Sequence, residues 1–341
     1  MSHTSTGRHL RIGACLSLTG RYAMFGEQAA HGLRSWANLD GNANTVIIDD
    51  QSDPNQVAPA LSNLADQCDL LLGPYSTQLM RAANRVVTRL DKLLWNHGGS
   101  GDDVETARPG HVISVLAPTS RYAEPFVRML ASRGATTTLW IKSGRGRFGV
   151  QVLDGVERIA AELGIVTNRL SPSDPLPTDH SQPWDLFCAA SFPEDVATVR
   201  EALNVSRPPQ TMGAVAAGVH EFGQAVPNPE GVYGIAQWLP GRRIAPQVGP
   251  PEEEFLHEYA KTGGRVPDYP AVQIAATAAL AARCARTTDD LSRPALWAAA
   301  TSLDTTTLLG WFAVDPITGM QRAHQTVLTR WTGGGMAPAT G

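Results

Sequence analysis

Three polar runs break off from apolar ones in this sequence: SLTGRYAMFG (17–26), GPYST (73–77) and NHGGSG (96–101). In GPYST, Gly73-Pro74 stops the apolar run Leu70–Leu72, and a ring, two hydroxyls and a turn follow. Ser76 or Thr77 can cap the next helix by accepting a free N–H of its first turn. The same turn can equally offer a hydroxyl and backbone N–H groups to a ligand carboxylate or amide oxygen. Gly98, Gly99 and Ser100 suit such a contact too, because glycine permits close backbone approach. His97 can donate or accept a hydrogen bond, or simply be an exposed loop histidine. Tyr22, Phe25, Tyr75, Tyr122, Phe148, Tyr233, Trp238 and Tyr269 lie near the ends of elements. Together they suit an apolar pocket with a few fixed polar groups.

Other candidates are weaker. Glu221, beside His220 in AAGVHEFG, can take a ligand ammonium. As an acid–base pair these two lack a nucleophile or metal. Asp49, Asp50 and Asp53 are close enough to suggest Mg²⁺, but Asp53-Pro54-Asn55 reads more simply as a turn and helix start. Gly144, Gly146 and Gly149 match GxGxxG after the strand TTTLWIK. Arginines crowd that loop, however, and GIVTNRL beyond it has no acid to hold a ribose. No GxSxG, phosphate-loop, HExxH or paired-cysteine pattern is present. No cofactor, metal or catalytic residue is therefore expected.

Short apolar strands alternating with helices position these runs. Strands are expected at Arg11–Ser17, Val46–Asp49, Asp69–Leu72, Lys92–Trp95 and Val112–Val115, with helices at Gly26–Leu39, Asn55–Gln67 and Thr77–Leu90. Such alternation indicates α/β architecture on mostly parallel sheets. A second α/β series follows Pro118: helix Tyr122–Ser132, strand Thr136–Ile141, helix Gly149–Glu162, strand Ile165–Arg169, strand Leu186–Ala190, helix Pro193–Ala202, and strands Ala214–Ala217 and Val232–Gln237. The proline-rich SPSDPLPTDHSQPWD reads as surface loop. Helices Glu252–Thr262, Ala271–Arg286 and Pro294–Ala300 come next. LLGWFAVDPITGMQRAHQTVLTRW then reads as strand, turn and strand.

The 341 residues suit two lobes, and 43% hydrophobic with 18% charged residues makes a folded chain. A formal charge of -4 without a basic run argues against nucleic acid as a partner. Cys15, Cys68, Cys188 and Cys284 are read as buried free thiols, with one distant disulfide left open. The opening residues do not form a signal peptide, and no run is long enough to span a membrane. The chain as written is expected to be cytoplasmic, or periplasmic if an export signal has been omitted.

The runs IGACLSLTGRYAMFGEQAAHGL, DDQSDPNQVAPALSNL, LLLGPYST and DYPAVQIAATAAL carry a resemblance. Over Arg11 to Trp331 the chain resembles leucine/isoleucine/valine-binding periplasmic proteins and their amide- and urea-binding relatives. The resemblance implies two Rossmann-like lobes with parallel sheets joined by a three-strand hinge, with ligand in the interlobe cleft. Lobe one would be 8–118 plus 239–304, and lobe two 119–238 plus 305–333. It further implies that Phe25 packs on the ligand, and that Ser76, Thr77, Gly98, Gly99 and Ser100 hold its head group. Phe148 and Tyr269 would supply aromatic contacts, and Glu221 the amino-group partner; Tyr75, Tyr122 and His97 complete the expected set. The implied function is non-catalytic binding of a branched-chain or related amino acid, or a small amide, as the substrate-binding component of an ABC-type transporter. Ligand contacts made only on closure would drive that closure. A cytoplasmic sensor acting on a regulatory partner, or a dinucleotide-dependent α/β enzyme, are the alternatives.

Overall fold

Short apolar runs such as Leu70–Leu72 are too brief for buried helices, and they form the strands of a computed structural model. It describes residues 8–134, 137–177, 182–241, 244–263 and 266–339. The first elements are β1 (Leu10–Leu16), α1 (Ala23–Asp40), β2 (Ala43–Asp49), α2 (Pro54–Gln67) and β3 (Leu70–Leu72). They continue as α3 (Thr77–Leu90), β4 (Leu94–Asn96), α4 (Asp103–Thr106) and β5 (Val112–Ser114). The strands lie in the order β2-β1-β3-β4-β5, all parallel. A parallel sheet needs both faces covered. Leu61 of α2 and Leu79 of α3 pack with Leu71 and Leu94 on one face.

A second series contains α5 (Glu124–Ser132), β6 (Thr138–Ser143), α6 (Arg147–Glu162), β7 (Thr167–Leu170) and β8 (Trp184–Ala189). It ends with α7 (Phe192–Asn204), β9 (Met212–Ala214), α8 (Glu221–Ala225) and β10 (Tyr233–Ala236). The chain then forms α9 (Glu252–Lys261), α10 (Tyr269–Thr287), α11 (Arg293–Thr301), β11 (Thr305–Thr306) and β12 (Trp311–Phe312). Last come β13 (Val327–Thr332) and β14 (Gly335–Pro338). The second sheet runs β14-β13-β10-β9-β8-β6-β7, with β13 antiparallel to both its neighbours.

The chain divides into two compact units. One comprises the residues up to Ala117 with Pro240–His324, and the other Pro118–Leu239 with the residues from Gln325 onward. In the first unit α10, buried along nearly its whole length, packs against α1, β3 and β4. Residues 305–324 belong to this unit, not to the second as the resemblance implies. Gln321 Nε2 donates to the Val115 carbonyl at 3.0 Å, and Ser114 N to the Gly319 carbonyl at 3.1 Å. The expected terminal hairpin is accordingly split. Its turn forms, with Asp315 Oδ1 accepting from the amides of Ile317 and Thr318. Trp311–Phe312, however, pairs with β11, whereas β13 pairs with β10 in the second unit.

Local expectations also change. Val215–Gly218 is a 3-10 turn instead of the end of a strand, because an apolar run of that length carries no period that separates the two. The helix expected from Tyr122 starts at Glu124, where Pro125 suits the first turn, after a separate 3-10 turn at Thr119–Arg121. Strand β6 begins at Thr138; Thr136, from which it was expected, lies outside the described residues. Trp184 and Asp185, expected in loop, are buried in β8. All four cysteines are free, with Cys68 half-buried and the others buried. Among the described residues no helix is long and apolar enough to cross a membrane.

Candidate ligand-binding site

Parallel strands bring their carboxyl ends, and the amino ends of the following helices, to one edge. In the first unit the carboxylates at the end of β2 shape the neighbouring loop. Asp49 Oδ1 accepts from Leu18 N and Gln51 N, each at 2.8 Å, and its Oδ2 from Thr19 Oγ1 at 2.7 Å. Burial works to raise the Asp49 pKa, but these bonds outweigh it and hold the carboxyl below its ordinary range. Asp50 is fully buried and accepts from Ser17 Oγ at 2.6 Å and Ser52 N at 2.9 Å. Desolvation raises its pKa despite those bonds. Asp53 caps α2 by accepting from Asn55 N at 2.9 Å. The three aspartates are thus engaged by their own loop and helix.

That loop delivers Tyr22 and Phe25 to Tyr75. Phe25 stacks on Tyr75 with centroids 4.6 Å apart, and Tyr22 lies tilted against the same ring at 6.2 Å. From the start of α10, Tyr269 brings its hydroxyl within 3.3 Å of the Tyr75 hydroxyl. All four rings are only partly buried. Tyr75 is held in turn by a parallel bridge to Gly98, and Ser76 N donates to the Gly98 carbonyl at 3.1 Å.

Ser76 adopts φ +94°, a left-handed backbone that a non-glycine residue rarely takes, and it caps α3. Its Oγ accepts from Leu79 N at 3.3 Å, which leaves the O–H proton to donate. The amides of Thr77 and Gln78 stand in the first turn, where no intrahelical acceptor exists. Thr77 Oγ1 instead accepts from Gly101 N at 3.0 Å and braces the next loop.

Within NHGGSG the organising residue is Asn96. Its Oδ1 accepts from Gly98 N at 3.1 Å and Gly99 N at 2.9 Å, while Nδ2 donates to the Gly99 carbonyl and to Ser114 Oγ, each at 2.6 Å. Ser114 Oγ bonds onward to Glu105 Oε1. Burial pushes the Glu105 carboxyl up to about 7, although the Ser114 and Asn96 side chains pull the other way. Gly99 has a packing reason: a Cβ there would lie 2.4 Å from Met80 Cγ. Ser100 is buried. His97 is neither an exposed loop residue nor presented to solvent. It is completely buried, neither ring nitrogen has a partner in bonding geometry, and desolvation drives its pKa down to about 4. The nearby Gly73 backbone offsets only part of that shift.

In the second unit Tyr122 is buried in the core, edge-on to the partly exposed Phe148 at 5.6 Å. Glu221 opens α8 and is half-buried, and the next residue, Phe222, anchors that helix against Trp331. The GxGxxG loop has a structural explanation. A Cβ on Gly144 would lie 2.5 Å from Glu194 Oε2, and one on Gly149 2.1 Å from the Ala189 carbonyl. A carboxylate therefore sits against the turn where a dinucleotide would place its phosphates, and repels them.

The sequence profile of the periplasmic binding protein family matches residues 9–335. The chain belongs to that family. Its fold is similar to the leucine binding protein LivK of Thermotoga maritima, with a TM-score of 0.83 and 14% identity over 97% of this chain and 98% of that one. It is similar also to LivJ of Streptococcus pneumoniae in complex with isoleucine (TM-score 0.79, 13% identity, 96% and 98% covered). A third is a solute binding protein of an ABC transporter from Rhodopseudomonas palustris in complex with p-hydroxybenzoic acid (TM-score 0.78, 15% identity, 96% and 95% covered). No curated protein sequence matches the chain.

Seen as a periplasmic binding protein, the first unit brings Phe25, Tyr75, Ser76 and Tyr269 to one half-exposed patch. Thr77, Gly98, Gly99 and Ser100 form the frame behind it. Glu105 and Ser114 are the members of that frame that sequence reasoning missed. An acid in GDDVET reads as solvated surface, and only the packing of α4 on β5 shows otherwise.

Proposed function

We propose that this protein binds, without chemically altering it, a small molecule bearing a carboxylate or primary amide on an apolar body. A branched-chain amino acid or an aromatic carboxylate would fit. The observation that carries the reading is the Tyr75–Ser76 turn. A stacked ring pair offers an apolar floor, and the adjacent hydroxyl and helix-end amides offer donors to a ligand oxygen. Phe148 and Glu221 of the second unit are proposed as further contacts, Glu221 for an ammonium group where the ligand has one. Isoleucine and p-hydroxybenzoic acid in the two related complexes both combine a carboxylate with an apolar body. By the same family reasoning, the protein works outside the cytoplasm and hands its ligand to an ABC-type permease.

The test is a thermal-shift panel on ligand-stripped protein, using branched-chain amino acids, aliphatic amides, urea and benzoates. A true ligand at a hundredfold excess over its Kd should raise Tm by about 5 °C. Absence of a shift with every carboxylate and amide removes the assignment.

A further inference from the structure

We infer that Arg21 makes the first unit select an anion, so that the ligand binds as a carboxylate in preference to the neutral amide of the same shape. The inference rests on the seat proposed at the Tyr75–Ser76 turn and narrows the ligand class of that seat.

Arg21 stands directly before Tyr22 in the loop between β1 and α1. Its guanidinium lies over the Tyr22 ring, 4.5 Å from the centroid, and that ring leans against Tyr75 at 6.2 Å. On another side, Arg21 Nη2 donates to Gln78 Oε1 at 2.6 Å. Gln78 belongs to the first turn of α3, two residues past Ser76. The cation is thus tied to both parts of the seat, to the aromatic floor through Tyr22 and to the helix end through Gln78. Arginine has no acceptor, so the Gln78 amide must turn its oxygen to the guanidinium. That leaves Gln78 Nε2 as a further donor at the same helix end.

Both partners of Arg21 are uncharged. A ring face and an amide oxygen fix the guanidinium without neutralising it. Among the described residues no carboxylate pairs with it. Asp49 accepts instead from Leu18 N, Gln51 N and Thr19 Oγ1, Asp50 is buried against Ser17 and Ser52, and Glu27 is exposed on α1. Arg81, one turn further along α3, shows the contrast. Its Nε and Nη2 each donate to a carboxylate oxygen of Asp103 at 2.6 Å, so its charge is matched. An unmatched cation at the rim of an apolar floor discriminates by charge and not by shape. A carboxylate gains from it, whereas the isosteric amide does not. The amino end of α3 acts in the same sense.

The test is calorimetric titration of ligand-stripped protein with two matched pairs, p-hydroxybenzoate with p-hydroxybenzamide and 3-methylbutanoate with 3-methylbutanamide. Arg21 and Gln78 are both exposed, so their substitution removes no core packing. Arg21→Gln should weaken the carboxylate about fivefold more than its amide. Arg21→Lys keeps the charge and should keep most of the preference. Gln78→Glu leaves the arginine in place but matches its charge, and should lower the preference as Arg21→Gln does. In the wild type the preference should shrink as ionic strength rises from about 0.01 M to about 1 M, over which the screening length falls from about 30 Å to about 3 Å. Equal weakening of acid and amide in Arg21→Gln would make the arginine merely structural and overturn the inference, as would an unchanged preference in that variant. Failure of all four compounds to saturate the wild type overturns the seat itself, and selection by Arg21 with it.

Discussion

The Phe25 and Tyr75 rings stack with centroids 4.6 Å apart and planes 7° from parallel. Phe25 stands in the first turn of α1 and Tyr75 in the loop between β3 and α3, so the pair fixes that helix start to that loop as well as forming a floor. Tyr75→Phe preserves the stack and removes only the hydroxyl 3.3 Å from Tyr269, so ligand affinity should stay within about threefold. Tyr75→Ala removes the floor and should cost at least about tenfold. Calorimetry with the tightest panel ligand separates them, and equal losses in both variants would place the hydroxyl at the ligand instead.

Ser76 combines a cap with a left-handed backbone. Ser76→Ala should lose about 1 kcal/mol of stability together with affinity, since alanine keeps the strained φ +94° that serine already bears but cannot cap. Ser76→Gly accepts that backbone, and glycine caps nearly as well, so its Tm should stay close to the wild type. Its affinity should still drop about tenfold if the hydroxyl donates to the ligand. Wild-type affinity in Ser76→Gly would reduce Ser76 to a cap.

Glu105 carries a pH signature. Its pKa rises from 4.5 in the unfolded chain to about 7 in the fold, because burial favours the neutral acid. The folded state therefore holds the proton more tightly. Its contribution is fully present below about 4.5 and is lost as pH rises through about 7, in all about 3 kcal/mol. Glu105→Gln has no such loss. The difference in Tm between variant and wild type should increase in the variant's favour from pH 5 to pH 8; a constant difference would show that Glu105 does not titrate there.

His97 behaves oppositely. Its pKa falls from 6.5 to about 4, so the folded state resists protonation and stability declines as pH drops through that window. His97→Leu replaces a ring whose nitrogens lack bonding partners, and should be nearly neutral in stability at pH 7.5. Relative to wild type it should gain between pH 6.5 and pH 4, with ligand affinity unchanged. A large loss of affinity would mean that the ring reaches the ligand.

Much of this was open to reading along the chain, and the limits have physical reasons. Alternation of short apolar runs with helical segments located all five strands of the first sheet and most of the second, since that pattern follows from burying both sheet faces. It missed β14 and placed the β9 strand about two residues late. GPYST could be read both as a cap and as a ligand turn because one serine has the chemistry for both. What escaped was long-range. Glu105 meets Ser114 only when α4 folds back on β5, and Asp195 meets Ala216 only through the order of β8 and β9. His97 sits in a polar, glycine-rich run whose composition suggests exposure, although the packing buries it. The two halves of the terminal hairpin pair with strands of different units, and no local period encodes that choice.

Gly99 offers a check on the frame independent of any ligand. Gly99→Ala would drive a Cβ to within 2.4 Å of Met80 and should destabilise by about 1–3 kcal/mol. Gly146→Ala, with nothing within 4 Å of the added carbon, should be close to neutral. Denaturant unfolding of the pair would contradict the packing if both variants matched the wild type.

The most direct measurement is calorimetric titration of ligand-stripped wild type and Tyr75→Ala, side by side, with the panel compound giving the largest thermal shift. One-to-one saturation by the wild type, weakened at least about tenfold in Tyr75→Ala, is the expected result. Equal affinity in the two proteins, or no saturation by any carboxylate or amide, would contradict a ligand seated on the Tyr75–Ser76 turn.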